Sequence, residues 1–262
     1  MIELDTDTFH YAKNLFANFP PYKRCYLGAV FERHQAGKIF VDRQDKPTCA
    51  CLCHTGGHTL LAGDPACESI AAFLDQLSPT TAIGKKALIF VGEHRGWEDK
   101  IEQIYEDRVR KEPRIAFQLN RDLFTAGEPE TAAPGSVERI GEDTLTLLPD
   151  LLNPLKNRNW DSKEEFFRCG MGFCLIVDGR AVSVCSSVAL GEGTAPIQIT
   201  TLPDCTRRGF ATRVAHTYID HCLKADLEPY WECGVDNAAS ASSAEKVGFR
   251  PFGKLNRYWL VE

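Results

Sequence analysis

The chain has 262 residues, is 44% hydrophobic and 25% charged, and carries a formal net charge of -6 with a pI near 5.7. That length suits two domains of ordinary size, and the apolar share suffices for buried cores, which excludes long disordered spans. The acidic balance excludes a protein whose main task is to neutralise nucleic-acid phosphates, and no apolar run reaches the length of a membrane span.

In chain order, apolar spacing predicts a helix over residues 8–16, then strands over 38–41 and 48–54 joined by the turn-like DRQDKP, a hairpin by pattern. Residues 65–77 read as a helix, 86–91 as a strand, 97–109 as a helix and 114–119 as a strand, which makes the first half mixed α/β. Composition breaks at 78–84 and again at 126–136, where AGEPETAAPGS reads as a linker and sets two domains, 1–125 and 126–262. Beyond it, 143–155 and 163–167 read as short helices, 172–190 as a hairpin turning at Asp178-Gly179, and 196–202 as a strand. Residues 208–224 form an amphipathic helix with Phe210, Val214, Tyr218 and Cys222 on one stripe and Arg213, Asp220 and Lys224 opposite. A strand over 230–233, a helix over 237–247 ended by Gly248 and a strand over 258–261 follow.

The opening MIELDTDTFHYAK has acidic residues where a secretory signal would be basic, so a cytoplasmic protein with no membrane or nucleic-acid partner is expected, as a monomer or homodimer. Eleven cysteines, scattered from Cys25 to Cys233, then read as reduced thiols filling core space. Cys49, Cys51 and Cys53, next to His54, alternate onto one face of an extended segment, unlike the C-x-x-C knuckles of zinc sites, and no metal site is expected.

The strand over 196–202, the turn Pro203-Asp204 and the segment TRRGFAT that opens the long helix gather unpaired backbone N–H groups in one place. Gly209 keeps a side chain out of the way, Ala211 keeps the first turn small, and Arg207 and Arg208 add charge to the positive end of the helix dipole. On these residues alone the segment is either an anion site or an ordinary helix start after a turn.

Further along, Asn237, Ser240, Ser243, Glu245, Lys246, Gly248 and Phe249 follow a P-Y-W-E-C strand. Together, TLPDCTRRGFA and NAASASSAEKVGF resemble the GNAT N-acyltransferase superfamily, whose pyrophosphate loop reads Q/R-x-x-G-x-G/A and whose later helix ends in E-K-x-G-F. More narrowly, the ITT-LP strand end, the P-x-W-x-C strand and the following helix look like the group that includes zwittermicin A resistance-type acetyltransferases. Members of that group carry a degenerate GNAT-like half before the active one, and the G-K-I-F-V-D hairpin followed by L-L-A-G-D is similar to that first half. The resemblance implies an α/β protein with an α+β mixed sheet, the GNAT acyltransferase fold, in two tandem GNAT-like halves. Residues 1–125 would be the degenerate half and 126–262 the half that carries the coenzyme A loop.

The resemblance also implies acetyl-CoA, or coenzyme A, as co-substrate and direct transfer of the acetyl group to a primary amine of a small molecule, with no covalent enzyme intermediate. Main-chain groups of Thr201 and Leu202 would pair with the pantetheine amides. Arg207, Arg208, Gly209, Phe210, Ala211 and Thr212 would hold the pyrophosphate, and Asn237 and Ser240 would contact the pantetheine arm or thioester. The strand holding Gln198 would splay from the strand holding Trp231 and leave a gap for the acyl group.

The chain departs from the family pattern at Thr206, where Gln or Arg is usual, and at Ala244, where many relatives have a tyrosine that protonates the leaving thiolate. Tyr258, or a water held by Ser243, is then the candidate acid, or no acid is needed because a free thiolate is a tolerable leaving group near neutral pH. Glu232 is the first candidate base, ahead of Gln198 and of His216 near the polar side of the long helix, while Cys233 reads as a packed thiol. Tyr230, Trp231, Tyr258 and Trp259 are explained by core packing or by an aromatic wall for a cationic acceptor. Two alternatives stay open: a catalytically silent acyl-CoA-binding regulatory module and a protein N-acetyltransferase.

Overall fold

The computed structural model describes residues 1–20, 23–78, 87–124, 134–157 and 159–261. The chain forms two compact units, Met1–Pro113 with Leu255–Glu262, and Arg114–Lys254. The division falls at 113/114 and not at 125/126, and the last residues return to the first unit. Residues 126–133 of the expected linker, and residues 79–84 of the earlier composition break, lie outside the described residues.

The first unit opens with β1 (Ile2–Glu3) and two 3-10 segments, Thr6–Tyr11 and Lys13–Phe16. These replace the helix expected over 8–16, although Phe9, Ala12 and Phe16 are buried as the spacing implied. Helix α1 (Arg24–Phe31) was not foreseen, because six of its eight residues are buried and a helix apolar on every side leaves no period to read. Then come β2 (Gly37–Val41), β3 (Cys49–His54), β4 (His58–Gly63), α2 (Glu68–Gln76), β5 (Ala87–Gly92) and α3 (Arg95–Tyr105). Strand β6 (Val109–Leu119) starts in this unit and runs into the second.

In the β2–β3 turn, the Asp42 carboxylate accepts from the Thr48 N–H at 2.7 Å, the Thr48 hydroxyl at 2.8 Å and the Cys49 N–H at 3.2 Å, which fixes the hairpin expected there. The cysteines of β3 are buried in a core with Leu61, Leu74, Phe90, Trp97 and Tyr105.

The second unit continues with β7 (Ser136–Arg139), α4 (Glu142–Leu147), α5 (Lys163–Cys169), β8 (Gly172–Val177), β9 (Arg180–Ser187), β10 (Thr194–Thr201), α6 (Phe210–Lys224), β11 (Glu228–Gly234) and α7 (Ala238–Lys246). Strand β12 (Phe249–Val261) starts here and ends in the first unit. The β8–β9 hairpin turns at Asp178 (φ 50°) and Gly179 (φ 76°), the left-handed pair that an Asp-Gly turn supplies. Helix α4 stops short of the expected 143–155, since Pro149 and Pro154 cannot continue it.

Each unit repeats one plan. In the first, β1 to β5 lie side by side in sequence order and the end of β12 closes the sheet against β5; in the second, β7 to β11 do so and the end of β6 closes it against β11. Among the described residues β1–β2, β2–β3, β3–β4, β7–β8, β8–β9 and β9–β10 pair antiparallel, as do the closing pairs β5–β12 and β11–β6, while β4 with β5 and β10 with β11 are parallel across α2 and α6 respectively. Each half of the chain thus lends its last strand to the other half's sheet. The fold is mixed α/β, and no described helix is long and apolar enough to cross a membrane.

Candidate functional site

The parallel pair β10/β11 is joined only at Thr194↔Glu228, Ala195↔Pro229 and Pro196↔Tyr230. Beyond that point β10 keeps its other neighbour, from Ile197↔Ser187 to Thr201↔Ser183, while β11 turns to β6, from Trp231↔Phe117 to Gly234↔Arg114. The strands therefore part between Gln198 and Trp231. The corresponding pair in the first unit stays joined from His58↔Ile89 to Leu61↔Gly92, most of the length of β4.

The free edge of β10 follows from its register. The Leu202 N–H donates to Val182 O at 2.9 Å, which makes 202/182 a hydrogen-bonded pair and assigns Thr200 and Gln198 to β9 as well. The main-chain groups of the intervening Thr201 and Ile199 point the other way, to the side that β11 has left. Of the expected pair Thr201 and Leu202, only Thr201 faces the gap. The Leu202 N–H is committed to β9, and Ile199 takes its place, a role that the hydrophobic pattern of the strand hid.

At the C-terminal end of β10 the turn is closed by the Thr206 hydroxyl on Pro203 O at 3.2 Å. Arg207 (φ 60°) and Gly209 (φ 78°) are both left-handed, and Gly209 is the N-cap of α6. The first bond of the helix runs from the Arg213 N–H to Gly209 O at 3.0 Å, so the N–H groups of Phe210, Ala211 and Thr212 have no partner within the helix. Phe210 anchors this turn by burying its side chain beside Leu202, while Thr206, Arg207, Arg208 and Gly209 are exposed. A Cβ built on Gly209 meets nothing within 4 Å. Neither arginine takes part in an ion pair among the described residues. A concave run of N–H groups at a positive helix end, flanked by two open guanidinium groups, fits a diphosphate.

Helix α7 meets β11 through Ser240, whose Oγ accepts from Trp231 Nε1 at 3.0 Å. Asn237 caps the helix, its Oδ1 accepting from the Ser240 N–H at 3.0 Å. Both residues thus have structural duties, and Asn237→Ala is expected to lower stability by about 1 kcal/mol, measurable by urea denaturation. The Cys233 thiol is buried, points at Asn237 O at 3.9 Å and is pushed up by burial.

The proposed acid–base residues are placed differently from expectation. Glu232 is not a bare carboxylate: Arg114 Nε lies 2.9 Å from one of its oxygens and the Tyr230 hydroxyl donates to the other at 2.5 Å. A carboxylate held in an ion pair on β6 and β11 is a weak candidate base. Tyr258 lies in the first unit, opposite Phe90 of β5, and donates to Glu102 at 2.6 Å; burial and the Glu102 carboxylate raise its proton affinity. Its hydroxyl is committed there, as Trp259 Nε1 is to Glu112 at 2.5 Å, so the four aromatics divide between the units, which favours core packing over a single aromatic wall. The Ser243 hydroxyl donates back along its helix to Ala239 O at 2.9 Å. His216 is buried and stacked on Phe124 with centroids 4.5 Å apart, not on a polar side, and Gln198 accepts from Asn159 Nδ2 at 2.8 Å.

Comparison with known proteins agrees with this geometry. The GNAT acetyltransferase family profile matches residues 13–258. A Bacillus subtilis (strain 168) protein named uncharacterized N-acetyltransferase YdfB is 23% identical over 98% of this chain and 97% of its own length. A GCN5-related N-acetyltransferase-like protein from Streptococcus suis 89/1591 superposes with a TM-score of 0.69 at 23% identity, over 96% of this chain and 98% of that one. A tandem GNAT protein from the clavulanic acid biosynthesis pathway gives a TM-score of 0.68 at 11% identity, over 98% and 97% of the two chains. With the family profile spanning nearly its whole length, and with a parted strand pair whose first strand leads through an exposed turn into a helix, this chain belongs to the GNAT acetyltransferase family.

Proposed function

We propose that the chain transfers an acetyl group from acetyl-CoA to a primary amine of a small molecule, by direct attack of the amine on the thioester. The observation that carries this reading is the parting of β10 from β11 after Pro196 and Tyr230, together with the exposed turn 206–209 that leads into α6. The N–H groups of residues 210–212, with Arg207 and Arg208, would hold the pyrophosphate. The free main-chain edge at Ile199 and Thr201 would pair with the pantetheine amides as an added strand does. The thioester then lies in the gap, where proximity supplies most of the rate.

Within the chain we assign the acetyl-CoA site to the second unit alone. The first repeats the plan, but its parallel strands stay joined along β4, and its α2 starts at Glu68, with Cys67 as N-cap, after Gly63-Asp64-Pro65-Ala66, without an arginine-glycine loop. This supports the reading of two tandem GNAT-like halves, the first of them degenerate, as in the group resembling zwittermicin A resistance-type acetyltransferases.

A second reading is favoured by one specific set of contacts. Ala244 is fully buried where a proton-donating tyrosine is usual, and the hydroxyls of Ser243 and Tyr258 are hydrogen-bonded elsewhere. A module that binds acyl-CoA without turnover would look the same. Calorimetry with acetyl-CoA, followed by thiol-release assays over a panel of amines, separates the two. A ligand at a hundred times its Kd is expected to add about 2.7 kcal/mol to the apparent stability. Binding with thiol release supports the enzyme, binding without release supports the module, and absence of binding overturns both.

A further inference from the structure

Ten of the eleven cysteines are buried, and the exception is Cys67, which is partly exposed at the N-cap of α2 in the first unit. Its sulfur, the fully buried Cys49 sulfur and a carboxylate oxygen of Asp42 all lie within 4.8 Å of one another. A metal ion would need that carboxylate, but Asp42 already accepts the three hydrogen bonds of the β2–β3 turn and a fourth from Arg43 Nε at 2.9 Å. That fills the acceptor positions of a carboxylate and leaves the two sulfurs as the reactive pair.

The backbones of the two cysteines are tied together. Cys49 opposes Gly63 across β3 and β4, the Asp64 N–H donates to Thr48 O at 2.9 Å, and the Cys67 N–H donates to Asp64 O at 3.2 Å. Gly63, at φ 82°, lets the chain turn there, since a Cβ would fall 2.2 Å from Thr48 O. The environments of the sulfurs differ. Partial burial raises the Cys67 thiol, but hydrogen bonds from Cys49, from the Ser69 hydroxyl at 3.2 Å and from the N–H groups of Ile70 and Ser69 outweigh it, so the net shift is downward. Burial, followed by the Cys67 sulfur and the Asp42 and Asp64 charges, keeps Cys49 protonated.

We propose that Cys67 and Cys49 are a peroxide-responsive pair in which Cys67 is oxidised first and Cys49 closes a disulfide onto it. In the first step the Cys67 thiolate attacks hydrogen peroxide: an S–O bond forms, the O–O bond breaks, and hydroxide leaves and takes up a proton as water. In the second step the Cys49 sulfur attacks the Cys67 sulfenic acid: the S–S bond forms, the S–O bond breaks, and the Cys49 proton leaves with the oxygen as a second water. One peroxide is reduced and two thiols are oxidised, and a dithiol reductant reverses the result.

The test uses the full-length chain, treated with hydrogen peroxide, blocked with N-ethylmaleimide and mapped by peptide mass spectrometry. A Cys49–Cys67 linked peptide is expected as the first product, reversible by dithiothreitol, while the other cysteines stay open to alkylation after denaturation. Cys67→Ser, at a partly exposed position that leaves the core intact, is expected to slow the first oxidation at least about tenfold and to abolish the link. Cys49→Ser is expected to leave a dimedone-trapped sulfenic acid on Cys67; if that variant fails to fold, the wild-type peptide map and Cys67→Ser decide the matter. First oxidation at any other cysteine, or accumulation of Cys67 sulfinic acid in the wild type without the link, overturns the proposal.

Discussion

Gly209→Val is expected to weaken acetyl-CoA binding about a hundredfold while costing the fold only about 1–3 kcal/mol. The two effects separate because of what surrounds the residue. Gly209 sits at φ 78° and ψ 0° as the N-cap of α6, a conformation that a β-branched side chain resists. A Cβ there touches nothing within 4 Å, so the protein bears the backbone strain and no clash. Relief of that strain turns the neighbouring peptide planes, which under the proposed function is where the pyrophosphate oxygens are held. Hydrogen bonds to charged groups contribute about 1.5–3 kcal/mol each, so losing one or two accounts for the predicted factor. Calorimetry with acetyl-CoA and a urea melt of the unliganded variant measure the two quantities, and an unchanged Kd would remove the pyrophosphate from this loop.

The parts of this architecture that could be read from the sequence are those that local pattern encodes. Phe210, Val214, Tyr218 and Cys222 repeat at helical spacing and all four are buried, and Asp178-Gly179 turns a hairpin as its chemistry demands. Arg213 shows the limit of that reading: assigned to the polar face, it is buried with its guanidinium on Pro134 O at 3.3 Å, which long apolar stems allow. Helix α1 was hidden because it is apolar all round. The exchange of closing strands was hidden for another reason, since residues such as Trp231 and Phe117, or Tyr258 and Phe90, meet through pairings that leave no trace in local spacing.

The site divides in the same way. The helix start at 207–212 is a local motif: residues 207–209 are exposed, Phe210 is buried, and the N–H groups of 210–212 have no partner within the helix. The edge of β10 was half legible: whether Leu202 or Ile199 faces the gap depends on the hydrogen-bonding phase with β9, which no single strand reveals. Glu232 was the least legible, because its partner Arg114 lies 118 positions away.

That partnership leads to the second large effect: Arg114→Met is expected to destabilise the second unit by about 3–5 kcal/mol. The Arg114 and Glu232 side chains are only 14% and 7% exposed, and Arg114 also reaches the main-chain oxygen of Glu232 at 3.2 Å. Removing the cation leaves a desolvated carboxylate without its counter-charge, and Glu232→Gln leaves the reverse. The double change Arg114→Met with Glu232→Leu is expected to recover much of the loss, because burying two apolar groups carries no comparable desolvation cost. Urea denaturation of the four proteins gives the coupling directly. The same series tests catalysis, since loss of a general base lowers kcat by about 10²–10⁴ and loss of a positioning pair by much less. A Glu232→Gln protein that stays stable and loses kcat on that scale would restore the carboxylate as the base. One that loses stability and keeps kcat within about tenfold per folded molecule would fix Glu232 as the group that, with Arg114, holds β11 against β6 where β10 has turned away.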